Sequence, residues 1–115
     1  MGYYSSVDFE VSIPKDKIKE FNEKAEDLEK KEGWFSYYEG LRANEDGNLE
    51  YADGEYYRKH YESEKLAYLI QEHGGRGRIL FNGEDRENWG FSLKDNGVFE
   101  IECGWIETNK KAEVN

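Results

Sequence analysis

The 115-residue chain predicts one α+β domain whose mainly antiparallel sheet follows the order β-α-β-β-α-β-β-β, with the two helices on one face. Three observations carry this. Apolar residues alternate singly near the start and through the last third, as in half-buried strands. Two intervening stretches space them three and four apart, as in amphipathic helices. The links between strands are short and turn-rich, which suits hairpins and therefore antiparallel pairing.

Val7, Phe9, Val11 and Ile13 alternate with Asp8, Glu10 and Ser12, predicting a first strand that Pro14 stops. Lys15 to Glu32 then places Ile18, Phe21, Ala25 and Leu28 on one stripe. Glu20–Lys24, Glu26–Lys30 and Asp27–Lys31 stand in the favourable i,i+4 order on its wet side, and Gly33 closes the helix. Trp34 to Arg42 is aromatic-rich and reads as a strand. Asn44 to Gly47 is a turn, and Asn48 to Tyr51 the returning strand. After the turn signal Asp53-Gly54, Glu55 to His73 has a helical pattern, clearest from Glu62, where Leu66, Leu69, Ile70 and His73 share a face. Tyr56, Tyr57 and Tyr61 fit either the start of that helix or a further strand.

Gly74-Gly75 ends the second helix, and three strands follow at Ile79 to Phe81, Trp89 to Leu93 and Val98 to Ile106. Asp95-Asn96-Gly97 is a hairpin turn, and Gly83 to Asn88 a longer connection. In the last strand Phe99, Ile101, Cys103 and Trp105 face one way, the core side on this reading, while Glu100 and Glu102 face the other. The domain is expected to span residues 1–107, with a polar tail fraying from Thr108 to Asn115.

Composition narrows the function classes. Charged and hydrophobic residues each make 37% of the chain, a balance that by itself leans toward disorder. Nine Tyr, six Phe and three Trp offset it, because each large ring buries roughly 150–250 Å². A net charge of −10 argues against direct nucleic-acid binding and for a basic partner. A lone Cys103 allows neither an internal disulfide nor a multi-cysteine zinc site. Without a membrane-length apolar run or a signal-peptide pattern, the expected compartment is the cytoplasm. Met1-Gly2-Tyr3-Tyr4-Ser5-Ser6 formally fits a myristoylation pattern, but reads more simply as the lead into the first strand.

Acidic side chains concentrate in two places. Between Glu39 and Glu55 six acids face one Arg42, and the loop after the third-last strand holds Glu84, Asp85, Arg86 and Glu87. Such segments suit docking on a basic surface, while ordinary solvated charge is the plain alternative. Glu84, Asp85, Arg86, Glu87, Glu45, Asp46, Glu50 and Asp53, with Tyr38 and Tyr51, are the candidate partner-binding residues. Asn44, Asp46, Asn48, Glu50 and Glu55 approach calcium-loop spacing, but Leu49 stands where the loop glycine belongs, so the segment reads as a hairpin turn. Arg76 and Arg78 flank Gly77 after Gly74-Gly75; with Arg86 and Tyr57 they form an alternative small-ligand or nucleotide site. His60 and His73 have no nucleophile in motif spacing, and Cys103 sits mid-strand. No enzyme, cofactor or metal is expected.

The Tyr56-Tyr57-Arg58-Lys59-His60-Tyr61 segment, the Gly83-Glu84-Asp85-Arg86-Glu87-Asn88-Trp89 segment and the Met1-Gly2-Tyr3-Tyr4 opening together resemble a group of small uncharacterised phage and bacterial proteins. These share a Tyr-rich helix start and a Gly-Glu-rich loop before a Trp. Trp89 is followed here by Gly90-Phe91, where the group carries a basic residue. The resemblance covers about half the chain and implies a phage or mobile-element setting, in which small accessory proteins disable host defences by binding them. The expected function is thus an acidic inhibitor of a basic host protein such as a nucleic-acid-binding defence enzyme. Nucleotide sequestration is the alternative and nucleic-acid mimicry the third reading. Spare aromatic surface would also suit a homodimer.

Overall fold

The computed structural model describes residues 5–38, 40–51, 57–58, 62–83, 88–102 and 106–112. The chain is an α+β protein. Strand β1 (Ser5–Ser12) leads through a 3₁₀ turn at Lys15–Lys17 into helix α1 (Ile18–Lys31). A second 3₁₀ segment, Gly33–Tyr38, precedes a hairpin of β2 (Leu41–Ala43) and β3 (Leu49–Tyr51). Strand β4 (Tyr57–Arg58) and helix α2 (Ser63–Glu72) follow. The chain then runs through β5 (Arg76–Gly83), β6 (Asn88–Lys94), β7 (Gly97–Glu102) and β8 (Ile106–Lys111).

Six strands pair antiparallel in the order β4-β1-β5-β6-β7-β8, and β2 with β3 forms a separate two-stranded ladder. The strand period decides which side chains meet the helices. Val11, Ile79, Phe81, Phe91, Leu93 and Val98 point to one face and join Phe21, Ala25 and Leu28 of α1 and Leu66, Ala67, Leu69 and Ile70 of α2 in a single core. Ile18 packs at its rim. On the wet side of α1, Lys30 pairs with Glu26 at 3.4 Å and Lys31 with Asp27 at 3.0 Å, while Glu20 turns back to Lys17 at 3.6 Å. These exposed pairs are each worth a few tenths of a kcal/mol at about 0.3–0.5.

Four expectations change. The aromatic run after Gly33 is helical, not extended: Phe35, Tyr38 and Leu41 recur every three residues and all are fully buried. A period of three puts Phe35 and Tyr38 on one side of the 3₁₀ segment, their rings 6.3 Å apart, and Leu41 follows at the start of β2. Helix α2 starts only at Ser63, because Glu62 takes a left-handed φ of 57° and the chain before it includes β4. The strand expected over Val98 to Ile106 divides into β7 and β8. Lastly, the polar end that was expected to fray past Thr108 is an edge strand to Lys111, and the domain extends past residue 107. Ala112 is buried, donates its N–H to the Val98 carbonyl at 3.0 Å and accepts the Tyr68 hydroxyl at 2.7 Å.

Strand β7 alternates as expected, but with the opposite orientation. Its register pairs Val98 with Leu93 and Glu100 with Phe91, so Val98 fills the core and Phe99 and Ile101 face away from the helices. Ile101 and Leu80 are nonetheless buried on that outward side, each 2% exposed. The sheet therefore buries apolar side chains on both faces at one end.

Candidate functional site

The β2–β3 hairpin is built to hold its tip in place. Asn44 supplies an Asx turn: its Oδ1 accepts the N–H groups of Asp46 at 2.9 Å and Asn48 at 3.0 Å. Gly47 has φ +87°, and its carbonyl accepts the Ile13 N–H at 2.8 Å, which seats the turn on the end of β1. An added Cβ at residue 47 would overlap the Ile13 carbonyl oxygen. Glycine is needed here.

The other side of the hairpin is clamped by α1. Asn22 and Glu29 lie seven residues apart, two helical turns, and so share a face. The Asn22 amide donates to the Ala43 carbonyl at 3.0 Å and accepts the Ala43 N–H at 2.8 Å. Glu29 takes a two-pronged bond from Arg42, at 2.7 and 3.0 Å, and the Gly40 N–H at 2.8 Å. The Arg42 hydrogen bond is the main reason that the Glu29 carboxyl titrates below its ordinary value; burial opposes the shift, and the Gly40 N–H and the charges of Arg42 and Lys30 add to it. The Arg42 guanidinium is raised in turn, chiefly by the same bond.

Stability follows with a definite sign. A carboxyl held below its unfolded value stabilises the fold above the ordinary glutamate range and loses that contribution as the pH falls through the folded value. Glu29→Gln should cost about 1–2 kcal/mol at neutral pH, the scale of a charge-assisted hydrogen bond. It should also flatten the acid limb of a melting-temperature profile below about pH 4.5, which thermal melts across that range will check.

Because Arg42 is spent on Glu29, its cross-strand neighbour Glu50 gains no partner from it. Glu45, Asp46 and Glu50 are exposed, and among the described residues none of the three forms an ion pair. The structure thus brings these three predicted residues together on one anchored hairpin. Tyr38, expected on the same surface, is a correction: it is fully buried, and its ring is core. Tyr51 ends β3 and Tyr57 opens β4, while Asp53, Glu84, Asp85, Arg86 and Glu87 lie outside the described residues, as do His60 and Cys103.

Arg76 and Arg78 do not converge on one phosphate cradle. Arg76 bonds Asp95 at 2.7 Å and the carbonyls of Gln71 and Gly75 at 3.1 and 2.8 Å; Arg78 reaches across to Glu10 at 2.6 Å. His73 closes α2 by donating from Nδ1 to the Leu69 carbonyl at 2.8 Å, with Phe21 edge-on to its ring. Among the described residues no group of three or more His, Cys, Asp or Glu could hold a metal ion, and no helix is long and apolar enough to cross a membrane.

Residues the sequence did not single out are Asn22 and Glu29, which position the hairpin, and Lys94, Phe99 and Lys111, which gather on the outward sheet face. The i,i+7 spacing on α1 was the available signal for the first two; the others depend on strand register. Comparison with family models, curated proteins and solved structures finds no match to this chain.

Proposed function

We propose that the protein is a binding module that docks its acidic β2–β3 hairpin on a basic partner protein, in the manner of an accessory inhibitor. The carrying observation is the set of exposed carboxylates of Glu45, Asp46 and Glu50, which face no described cation and stand on a backbone held by β1 and α1. Anchoring favours recognition, because charges on a fixed loop lose little freedom when a partner arrives. The net charge of −10 would steer a basic surface toward them. The phage-like resemblance makes a nucleic-acid-binding host defence enzyme the fitting partner class, and the 84–87 loop a second contact.

The test is tagged capture from bacterial lysate at low and high salt, with stoichiometric proteins identified by mass spectrometry. The expected result is a basic protein that leaves at high salt, and whose capture by the Glu45→Gln/Asp46→Gln/Glu50→Gln variant falls about tenfold, the loss of one or two well-placed charge contacts. Equal capture by wild type and variant would remove the hairpin from the interface. A parallel Glu84→Gln/Asp85→Gln/Glu87→Gln variant tests the loop separately.

A further inference from the structure

Four hydrogen-bond donors meet at the start of α2. Glu62 has φ 57° and ψ 35°, the left-handed region, and the right-handed helix Ser63–Glu72 follows at once. A left-handed residue followed by a right-handed one turns successive backbone N–H groups, here those of Glu62, Ser63 and Glu64, toward one point. The first bonds of the helix run from the Lys65 and Leu66 N–H groups to the Glu62 carbonyl, at 3.1 and 3.3 Å. The three earlier N–H groups lie ahead of that ladder, and none of them has an acceptor among the described residues. The Ser63 hydroxyl is the fourth donor. Ser63 is 6% exposed, yet its hydroxyl bonds no described residue. The Cα–Cβ bond of a helical residue tilts toward the N-terminus, so this hydroxyl is aimed back at the same N–H groups.

A buried hydroxyl without a partner is destabilising, and in a native fold it marks a place where a partner sits. The donors select that partner. All four offer a proton, so the ligand must be rich in acceptors, and the oxygens of one phosphate group can accept every one of them. The positive end of the helix dipole falls at the same point. Two acids stand beside it. Glu62 is exposed and pairs with Lys65 at 3.5 Å, and Glu64 is half-buried. With the net charge of −10 they weaken an anion's binding, but they leave the donors in place. They also restrict the ligand's size, because a long polyanion meets the acidic surface while a single phosphate group stays on the donors.

We propose that the N-terminus of α2 binds a phosphate group on the N–H groups of Glu62, Ser63 and Glu64 and the Ser63 hydroxyl. The site uses none of the hairpin carboxylates. Amide spectra of the full chain, titrated at matched low ionic strength with inorganic phosphate, O-phosphoserine, acetate or chloride, test it. Inorganic phosphate or phosphoserine should shift the Glu62, Ser63 and Glu64 amides saturably, and the tighter of the two names the source as a free ion or a phosphorylated side chain. Acetate should bind at least about threefold more weakly, and chloride should give no saturable shift. Ser63→Ala should weaken phosphate at least about fivefold. Glu62→Gly keeps the left-handed backbone and removes an acid, so it should tighten phosphate about twofold or more. A merely structural role would not move binding in these opposite directions, and the wild-type shifts settle the site should Ser63→Ala misfold. No saturable shift with either phosphate, shifts centred elsewhere, acetate or chloride binding as tightly, unchanged binding by folded Ser63→Ala, or weaker binding by Glu62→Gly would each overturn the proposal.

Discussion

Gly47→Ala should lower the thermal midpoint by roughly 10 °C or more and release the acidic hairpin from the sheet. The left-handed backbone at this position costs a non-glycine residue about 1–2 kcal/mol. The added Cβ also meets the Ile13 carbonyl, so the turn must shift, and the Ile13 N–H, on a residue 2% exposed, loses its acceptor. An unsatisfied buried donor adds about 1–3 kcal/mol. At about 4 °C per kcal/mol for a domain of this size, the two effects give the expected fall. Circular dichroism melts measure it. An unchanged melt would show that the hairpin is not seated on β1.

Phe81→Ala should be comparably severe and act through packing alone. Phe81 is fully buried, stacks on Trp89 with ring centres 5.1 Å apart and planes 9° from parallel, and meets Phe91 edge-on at 6.4 Å. Removing such a ring typically costs about 3–5 kcal/mol, the lost transfer energy plus a cavity the neighbours only partly fill. Against a total stability of about 5–15 kcal/mol, that leaves a measurable unfolded fraction. Urea titration should show a much lower midpoint, with Phe81→Leu in between. A midpoint within error of wild type would contradict the central placement of this ring.

Strands and helices with enough residues to express a period were legible in the sequence. Strand β1 declares itself through Val7, Phe9, Val11 and Ile13, and α1 through Phe21, Ala25 and Leu28. Strand β4, at two residues, is too short to carry any period. The Phe35, Tyr38, Leu41 run has a period, but of three, and aromatic enrichment argued for a strand instead. In β7 the alternation could be read but its direction could not. A strand with apolar groups on one side and acids on the other looks core-facing on the apolar side. Here the register with β6 sends Val98 inward and Phe99 outward.

The same division holds for the candidate site. Glu45, Asp46 and Glu50 could be read as an acidic turn because their spacing is local. That they carry excess charge depends on Arg42 bonding Glu29, thirteen residues earlier, and not Glu50 across the hairpin. Lys94, Phe99 and Lys111 belong to three strands and meet only after two hairpin registers are set. Local spacing cannot reveal such a meeting.

The Asn22 amide, finally, closes the edge of β2 at Ala43. A strand at the margin of a sheet normally presents free N–H and C=O groups on which another chain can build. At Ala43 both groups already face a side chain that imitates a neighbouring backbone. An incoming strand would have to displace an amide fixed on α1 before gaining its first bond. On the Ala43 side the hairpin thus refuses to grow into a larger sheet.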